Sequence, residues 1–280
     1  MKKMLALPLI LAMIFSMTAC GEKSSVVTTV ENGEEVYILK MSSTVNEDHL
    51  VTKTDRYFIQ RVEELSNGRL KIELYPNNQL GDPRSMLEAT SMGNLDICDV
   101  GLPQYSYYTN ALKFFNLPFL WETRDAAFSF LDTDAGEDIR RQVEEDVGVH
   151  ILGFQDNGFF GFTSNKLMET PADVRGFKVR CQESDILLQI WSDLGASPMP
   201  MSFSEVYTAL QQGAIDGQMN AYITNYNSGY YEVQQYFHKL GLLYDMMVVG
   251  ISMESYNALP EDLQAVLDQA GQEMQEWNIQ

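Results

Sequence analysis

The alternation of apolar and polar residues along the chain predicts short strands and amphipathic helices in succession. Residues 70–74, LKIEL, place an apolar side chain at every second position and predict a strand. A helix is predicted after His49, because apolar residues recur at spacings near four as far as Leu65. Asp82 and Pro83 offer the next helix an N-cap and a proline in its first turn. Because strands and helices alternate, the predicted fold class is α/β.

A short internal repeat indicates that the chain contains two similar halves. Residues 89–96, ATSMGNLD, and 209–216, ALQQGAID, share the pattern A-x-x-x-G-x-[LI]-D. In both, a helix is predicted to end at the glycine and a short apolar stretch to end at the aspartate. Each helix also has a cap signal at its start, Asp82-Pro83 in one and Ser202-x-x-Glu205 in the other. Two lobes that face a cleft are therefore predicted.

The boundaries between the lobes are predicted from strands that run between them. Residues 149–154 form a predicted strand, and residues 155–158, QDNG, form a polar break that could act as a hinge. Residues 246–251 form an apolar strand that is a candidate for the return crossing. The predicted division is lobe 1 over residues 36–156 together with 247–280, and lobe 2 over residues 157–246.

The N-terminus predicts export and a lipid anchor. Two lysines precede an apolar run over residues 5–15, which is too short to cross a bilayer and is typical of a signal peptide. The small residues before Cys20 resemble the lipobox of bacterial lipoproteins, which implies that residues 1–20 form a lipoprotein signal segment, with cleavage before Cys20 and a diacylglyceryl anchor on its sulfur. A plain signal peptide with an incidental cysteine is the alternative. Residues 21–35 are predicted to be a flexible tether.

Charge and composition exclude several classes of function. The formal net charge of −20 argues against nucleic-acid binding, which needs basic patches. The catalytic motifs G-x-S-x-G, G-x-G-x-x-G, H-E-x-x-H and C-x-x-C do not occur, and no P-loop is found. The three histidines are far apart in sequence. We therefore expect no enzymatic activity, no cofactor and no metal site, and we expect Cys98 and Cys181 to be small buried residues.

Four stretches, in order along the chain, resemble the DctP-type receptors of tripartite ATP-independent periplasmic (TRAP) transporters. They are LSNGRLKIELYPNNQLGDPRSMLEATSMGNLDI, FNLPFLW, ETPADVRGFKVR and SPMPMSFSEVYTALQQGAIDGQMN. The resemblance extends from about Tyr37 to Trp277. It implies a type II periplasmic-binding-protein fold, in which two α/β lobes joined by hinge strands close over a small organic acid. The partner it implies is a membrane permease that receives this ligand. Family chains usually continue beyond the Trp277 helix, which leaves open whether this sequence is a fragment.

The resemblance also implies which residues hold the ligand. It assigns the ligand carboxylate to Arg180, from the K-V-R motif, with Asn220 beside it and Phe203 packed on the carbon face. Asp82 is expected to reach a ligand hydroxyl or simply to cap its helix. Gln182 and Ser184 follow Arg180 and are expected to bond ligand hydroxyls or to cap the next helix. His49, Gln155 and Asn157 are further candidates, because they end elements that are predicted to line the cleft.

One departure from the family bears on the ligand. Many family members carry an arginine where this chain has Phe160. The missing cation argues against a dicarboxylate and favours an aromatic wall at Phe160. We therefore expect a lipid-anchored extracytoplasmic protein that captures a hydroxylated monocarboxylate such as a hexuronate. The alternatives are an ABC-type receptor of the same fold and a cleft enzyme that acts on a sugar acid.

Overall fold

The computed structural model describes residues 26–31 and 33–280. Cys20 and the predicted signal peptide over residues 1–20 lie outside the described residues. Within the described residues, no helix is both long and apolar enough to span a bilayer.

The described residues form an α/β structure, as the alternation predicted. The strands are β1 (Val27–Glu31), β2 (Glu34–Ser43), β3 (Leu70–Tyr75), β4 (Ile97–Gly101), β5 (Val149–Ser164), β6 (Lys178–Cys181), β7 (Ser197–Pro200), β8 (Gly217–Ala221), β9 (Tyr236–His238) and β10 (Tyr244–Ser252). The α-helices are α1 (Leu50–Leu65), α2 (Pro83–Ser91), α3 (Leu102–Tyr105), α4 (Arg124–Leu131), α5 (Asp134–Val147), α6 (Asp185–Asp193), α7 (Val206–Gln211), α8 (Tyr222–Asn227), α9 (Met253–Ala258) and α10 (Glu261–Asn278). Short 3-10 helices cover Lys113–Asn116, Pro171–Val174, Phe203–Glu205 and Tyr230–Glu232.

The same βαβαβ unit occurs twice in the chain. In the first unit, β2 pairs in parallel with β3 and β4. In the second, β6 pairs in parallel with β7 and β8. Helices α1 and α2 connect the first three strands, and α6 and α7 connect the second three. Each unit therefore places the carboxyl ends of its parallel strands at one edge, where ligands bind in open α/β sheets.

The repeated aspartates have the same structural role in the two units. Asp96 Oδ2 accepts a hydrogen bond of 2.7 Å from the backbone N–H of Lys40 at β2. Asp216 Oδ2 accepts one of 2.9 Å from the backbone N–H of Lys178 at β6. Each aspartate lies just before the third strand of its unit and fixes that strand against the first. The sequence repeat therefore corresponds to a structural repeat.

Strand β5 joins the two units. Its first part pairs antiparallel with β10, and its later residues pair with β8 and β9. The β5–β10 register shifts at Asn157, because Asp245 lies opposite Gly158 while Met246 lies opposite Asp156. This one-residue bulge bends the strand where it passes from one sheet to the other. Strand β10 pairs antiparallel with β5 and, on its other side, with β4 of the first unit.

Each unit has its own hydrophobic cores. Two buried clusters lie around the first unit: one contains Phe154 and Val248, and the other contains Leu39 and Val249. Two more lie in the second unit, one around Trp191 and another around Tyr230. A fifth, small cluster joins the units, because Phe203 from the second unit packs against Val45, Val51 and Met247.

The structure differs from the sequence predictions at two places. Within the predicted tether over residues 21–35, Val27–Glu31 form β1, which pairs antiparallel with β2 from Val27 opposite Ile38. The β-branched valines and threonines of this segment suit an edge strand, although the segment lacks a buried face. The predicted polar break over residues 155–158 lies inside the continuous strand β5, since its backbone groups pair with β10.

We predict that Gly271→Ala destabilises the fold. A Cβ at this position would lie 2.2 Å from the carbonyl oxygen of Leu152, so helix α10 would have to move away from β5. At an exposed helical site the same change stabilises by up to about 1 kcal/mol, but here a loss of about 1–3 kcal/mol is expected from overpacking. Urea unfolding measures the change, with exposed Gln272→Ala on the same helix as control. A gain in stability would contradict the packing of α10 on β5.

Candidate functional site

A cavity lies between the two units at the carboxyl ends of their parallel strands. It encloses about 430 Å³ of space, part of which is open to solvent. Its lining comes from both units and from the joining strands: Thr44, Val45, Pro83, Gly101, Pro103, Gln104, Asn157, Arg180, Gln182, Phe203, Asn220, Thr224, Asp245 and Met247.

Arg180 is the cation in this lining. It is only 2% exposed, and burial lowers the pKa of its guanidinium. Its Nε donates to the backbone carbonyl of Met201 at 3.0 Å, whereas its Nη1 is buried without a hydrogen-bond partner. A buried guanidinium with an unpartnered nitrogen is costly. An anion that enters the cavity would supply the missing acceptor.

Two neighbouring amides also present unpartnered atoms. Asn220 lies on β8 next to β6, and its Oδ1 accepts from the backbone N–H of Ala221 at 3.1 Å. That bond leaves its Nδ2 buried without a partner. Gln182 follows β6 and has a buried, unpartnered Oε1. The cavity therefore presents free donors from Arg180 and Asn220, and a free acceptor from Gln182.

Phe203 closes the cavity from the second unit. It contacts the first unit through Val45, Val51 and Met247, so its ring spans the gap between the two units. It also lines a neighbouring cavity that contains Asp82 and Arg84. The sequence prediction placed Phe203 on the ligand, and the structure places it in the lining.

Asp82 is the N-cap of helix α2. Its Oδ1 accepts from the backbone N–H groups of Arg84 and Ser85, each at 3.0 Å. It lines the neighbouring cavity, together with Arg180, rather than the main one. Arg84 is also in that cavity and lies 4.7 Å from the ring centre of Tyr107. Capping therefore accounts for the position of the Asp82 carboxylate.

His49 begins a chain of hydrogen bonds that runs between the units. Its Nδ1 accepts from the backbone N–H of Val51 at 3.1 Å, so Nε2 carries the proton and donates to Thr224 Oγ1 at 3.2 Å. The Thr224 hydroxyl donates to Asn157 Oδ1 at 3.2 Å. Burial lowers the pKa of His49 to about 4, which keeps the ring neutral at neutral pH. His49 lines a separate cavity beside Phe203, and its connection to the main cavity is the hydrogen bond to Thr224.

Asn157 occupies the β5 bulge and lines the cavity, as the sequence prediction had it. Its Nδ2 donates to Asp245 Oδ2 at 2.7 Å. Asp245 is 6% exposed and lies on β10. Burial raises the pKa of this carboxyl to about 7. Asp245 was not predicted from the sequence, although it is the one charged residue in the apolar run over residues 242–251.

Gln155 does not line the cavity. It is fully buried, and its Nε2 donates to Asp55 Oδ1 at 2.7 Å and to Asp99 Oδ2 at 3.3 Å. It therefore bridges two buried carboxyl groups, from α1 and β4, within the first unit. The sequence pattern placed a strand end before Gln155, whereas β5 continues to Ser164. The pattern also could not show which face Gln155 occupies, because the register of β5 shifts along its pairing with β10.

Ser184 and Phe160 also lie outside this lining. Ser184 is fully buried at the N-cap of α6, where its side chain makes no capping hydrogen bond. Phe160 is 1% exposed and packs in the core of the second unit with Trp191 and Leu187. The expected aromatic wall at Phe160 is absent from the cavity lining, because β5 directs this ring into the hydrophobic core.

The family of the chain follows from a comparison with family models. The model of the bacterial extracellular solute-binding proteins, family 7 (DctP), matches residues 41–280. The chain belongs to this family. The match includes the residues that line the cavity and both βαβαβ units, except for the part of β2 that precedes residue 41.

Known family members include binding proteins for different carboxylates. The C4-dicarboxylate-binding periplasmic protein DctP of Vibrio cholerae is 34% identical over 223 residues, which cover 76% of this chain and 66% of the relative. A TRAP periplasmic solute-binding protein of Roseobacter denitrificans, solved with L-galactonate, superimposes with a TM-score of 0.83 at 28% identity, covering 86% of this chain and 80% of that one. A TRAP periplasmic solute-binding protein of Sulfurospirillum deleyianum, solved with succinate, superimposes with a TM-score of 0.81 at 30% identity. That superposition covers 86% of this chain and 78% of the other. The chain thus spans about two thirds of the length of the Vibrio relative.

We predict that the Asp55–Gln155–Asp99 cluster makes stability fall as pH rises. Burial raises the pKa of Asp55 to about 7 and raises that of Asp99. Since an unfolded aspartate titrates near 3.8, the folded protein retains protons that the unfolded chain has lost. This contribution to stability is fully present below about pH 4 and is lost as pH rises through 7.

Urea unfolding at pH 5 and pH 8 measures this dependence. We expect Asp55→Asn, which imitates the protonated acid, to reduce the difference in unfolding free energy by on the order of 2 kcal/mol. Exposed Asp193→Asn is the control and should leave the difference unchanged. An equal pH dependence in Asp55→Asn and the wild type would mean that the cluster does not hold the extra proton.

Proposed function

We propose that this protein is an extracytoplasmic binding lipoprotein that captures a hydroxylated monocarboxylate, such as a hexuronate or an aldonate, and delivers it to a TRAP permease. The observation that carries the proposal is the buried Arg180 guanidinium, whose Nη1 lacks a partner in a cavity formed by both units. Binding there would join the units and favour a closed form, because the ligand contacts both at once.

The polarity of the unpartnered atoms indicates what kind of molecule fits. Arg180 Nη1 and Asn220 Nδ2 are donors, and together they suit the two oxygens of a carboxylate. Gln182 Oε1 is an unpartnered acceptor, to which a ligand hydroxyl group can donate. A carboxylate that carries hydroxyl groups satisfies all three atoms. The solved relative with L-galactonate is a family member that holds such a molecule.

A C4-dicarboxylate is the second candidate ligand. The Vibrio relative is named for this ligand class, and Arg84 lines the neighbouring cavity as a second cation. However, Arg84 is exposed and lies 3.5 Å from a carboxylate oxygen of Glu183, which partly occupies it. The lining of the main cavity also offers a second ligand carboxylate no cation besides Arg180. The polarity of the lining therefore favours the hydroxylated monocarboxylate.

We predict that Arg180→Ala abolishes ligand binding at accessible concentrations. Truncating the cationic partner of a buried charge pair costs several kcal/mol, which corresponds to a loss of about 100-fold or more in affinity. Thermal-shift and calorimetric titrations with hexuronates, aldonates and C4-dicarboxylates provide the measurement. Lys178→Ala, on the same strand but exposed, is the matched control and should bind normally.

Two outcomes of these titrations would contradict the proposal. One is a ligand that binds the wild type and Arg180→Ala with equal affinity, because the guanidinium would then have no part in the site. The other is a wild-type protein that binds C4-dicarboxylates and none of the hydroxylated monocarboxylates. Recovery of chemically altered ligand after long incubation would instead indicate a cleft enzyme.

We predict that Cys20→Ala releases the protein from the membrane. If the Cys20 sulfur carries a diacylglyceryl group, the wild-type protein sediments with membranes and partitions into detergent. Replacing Cys20 removes the acceptor sulfur while keeping the export signal over residues 1–19. Fractionation of cells that express each form, with Cys98→Ala as the control, measures the change. A wild-type protein found only in the soluble extracytoplasmic fraction would rule out the anchor.

A further inference from the structure

Asp245 is the one acidic residue among those that line the cavity. A hydrogen bond from the Asn157 amide holds its carboxylate in place. It lies on β10 opposite the Gly158 position of β5, next to the bulge. Arg180 lies on β6, which is separated from β10 by β5 and β8 in the sheet order. Both side chains line the same cavity. The hydrogen-bond partner of the Asp245 carboxylate is the Asn157 amide, and that of the Arg180 guanidinium is the Met201 carbonyl.

The hydrogen bonds that lead to Asp245 run in one direction. The backbone N–H of Val51 fixes His49 Nδ1 as an acceptor, and each following group then donates to the next: His49 to Thr224, Thr224 to Asn157, and Asn157 to Asp245. Because the Asn157 amide oxygen is occupied by Thr224, its NH₂ group faces Asp245. The chain therefore ends on an acceptor, and polarisation along it strengthens the last bond.

From this arrangement we infer that Asp245 is a specificity-determining residue, which accepts hydrogen bonds from ligand hydroxyls and rejects a second carboxylate. The inference rests on the proposed function, in which Arg180 holds the ligand carboxylate. A hydroxyl that donates to a carboxylate forms a charge-assisted hydrogen bond. A second ligand carboxylate at the same place would bring like charges together in a buried site, which disfavours binding.

Gln182 and Asp245 would allow a site whose lining has Arg180 as its cation to distinguish a sugar acid from the diacid of the same chain length. Both present acceptors to the cavity, so the part of the ligand beyond its carboxylate must supply donors. A sugar acid that ends in a hydroxymethyl group supplies one. The corresponding diacid supplies another acceptor and another negative charge.

The test compares L-galactonate with galactarate, which differ only in that a carboxylate replaces the terminal hydroxymethyl group. Titration calorimetry at pH 8, above the pKa of about 7 for Asp245, gives the affinities. We expect the wild type to bind galactonate at least tenfold more tightly. In Asp245→Asn, the amide oxygen can still accept from Asn157 while its NH₂ group faces the ligand. We therefore expect the affinity for galactonate to fall by about tenfold. The ratio of galactarate affinity to galactonate affinity should rise by about 100-fold or more.

Two further variants make the result interpretable. Asp193→Asn removes one exposed negative charge elsewhere and should keep the wild-type preference. Asp245→Ser removes the charge without adding an NH₂ donor. If the melting temperature without ligand shows that Asp245→Asn does not fold, Asp245→Ser is tested in its place. We expect Asp245→Ser also to lose the rejection of galactarate.

The outcomes separate the two proposals. If the wild type prefers galactonate and the folded Asp245 variants keep the same preference, Asp245 does not determine specificity, while the proposed function stands. If the wild type prefers galactarate or succinate, both the proposed function and the role of Asp245 are overturned. A loss of preference in both Asp245 variants, with Asp193→Asn unchanged, supports the inference.

Discussion

A buried guanidinium that lacks an acceptor is the constraint on which the site depends. Desolvating a cation costs free energy, and a fold retains such a group only where the rest of the structure compensates or where a ligand supplies the missing partner. Arg180 makes one hydrogen bond, to the backbone of Met201, and leaves Nη1 unpartnered. Arg180 lines the cavity together with the amides of Asn220 and Gln182, each of which also has an unpartnered buried atom.

The repeated βαβαβ unit explains why the cavity forms where it does. Asp96 and Asp216 fix equivalent strand pairs in the two units, and each unit has the carboxyl ends of its parallel strands at one edge. Strands β5 and β10 pass between the units and contribute Asn157 and Asp245 to the cavity. The bend at the Asn157 bulge therefore serves the site as well as the fold, because it places an amide within reach of Thr224 and Asp245.

Much of the fold could be predicted from local pattern alone. Helix α1, strand β3 and the capped start of α2 follow from periodicity and from Asp82-Pro83, and the repeat around Asp96 and Asp216 indicated two lobes. The course of β5 could not be predicted, because a polar stretch inside a strand is indistinguishable from a loop without its pairing partner. Edge strand β1 was missed for a related reason, since its side chains have no buried face.

The site was predicted in part. Arg180, Asn220, Phe203, Gln182 and Asn157 lie in the lining, and family motifs pointed to the first three. Gln155, Ser184 and Phe160 are buried outside the lining instead, because tertiary packing decides which way each side chain faces. Asp245 was missed because an acid in an apolar strand has no motif. Its role depends on Asn157, Thr224 and His49, which are brought together only by the fold.

A crystal structure of the protein with bound L-galactonate tests the central claim most directly. The account predicts that the ligand carboxylate lies within hydrogen-bond distance of Arg180 Nη1 and Asn220 Nδ2, with hydroxyl groups on Gln182 Oε1 and Asp245. A ligand whose carboxylate lies away from Arg180, or a cavity in which Arg180 Nη1 stays unpartnered while ligand is bound elsewhere, would contradict it.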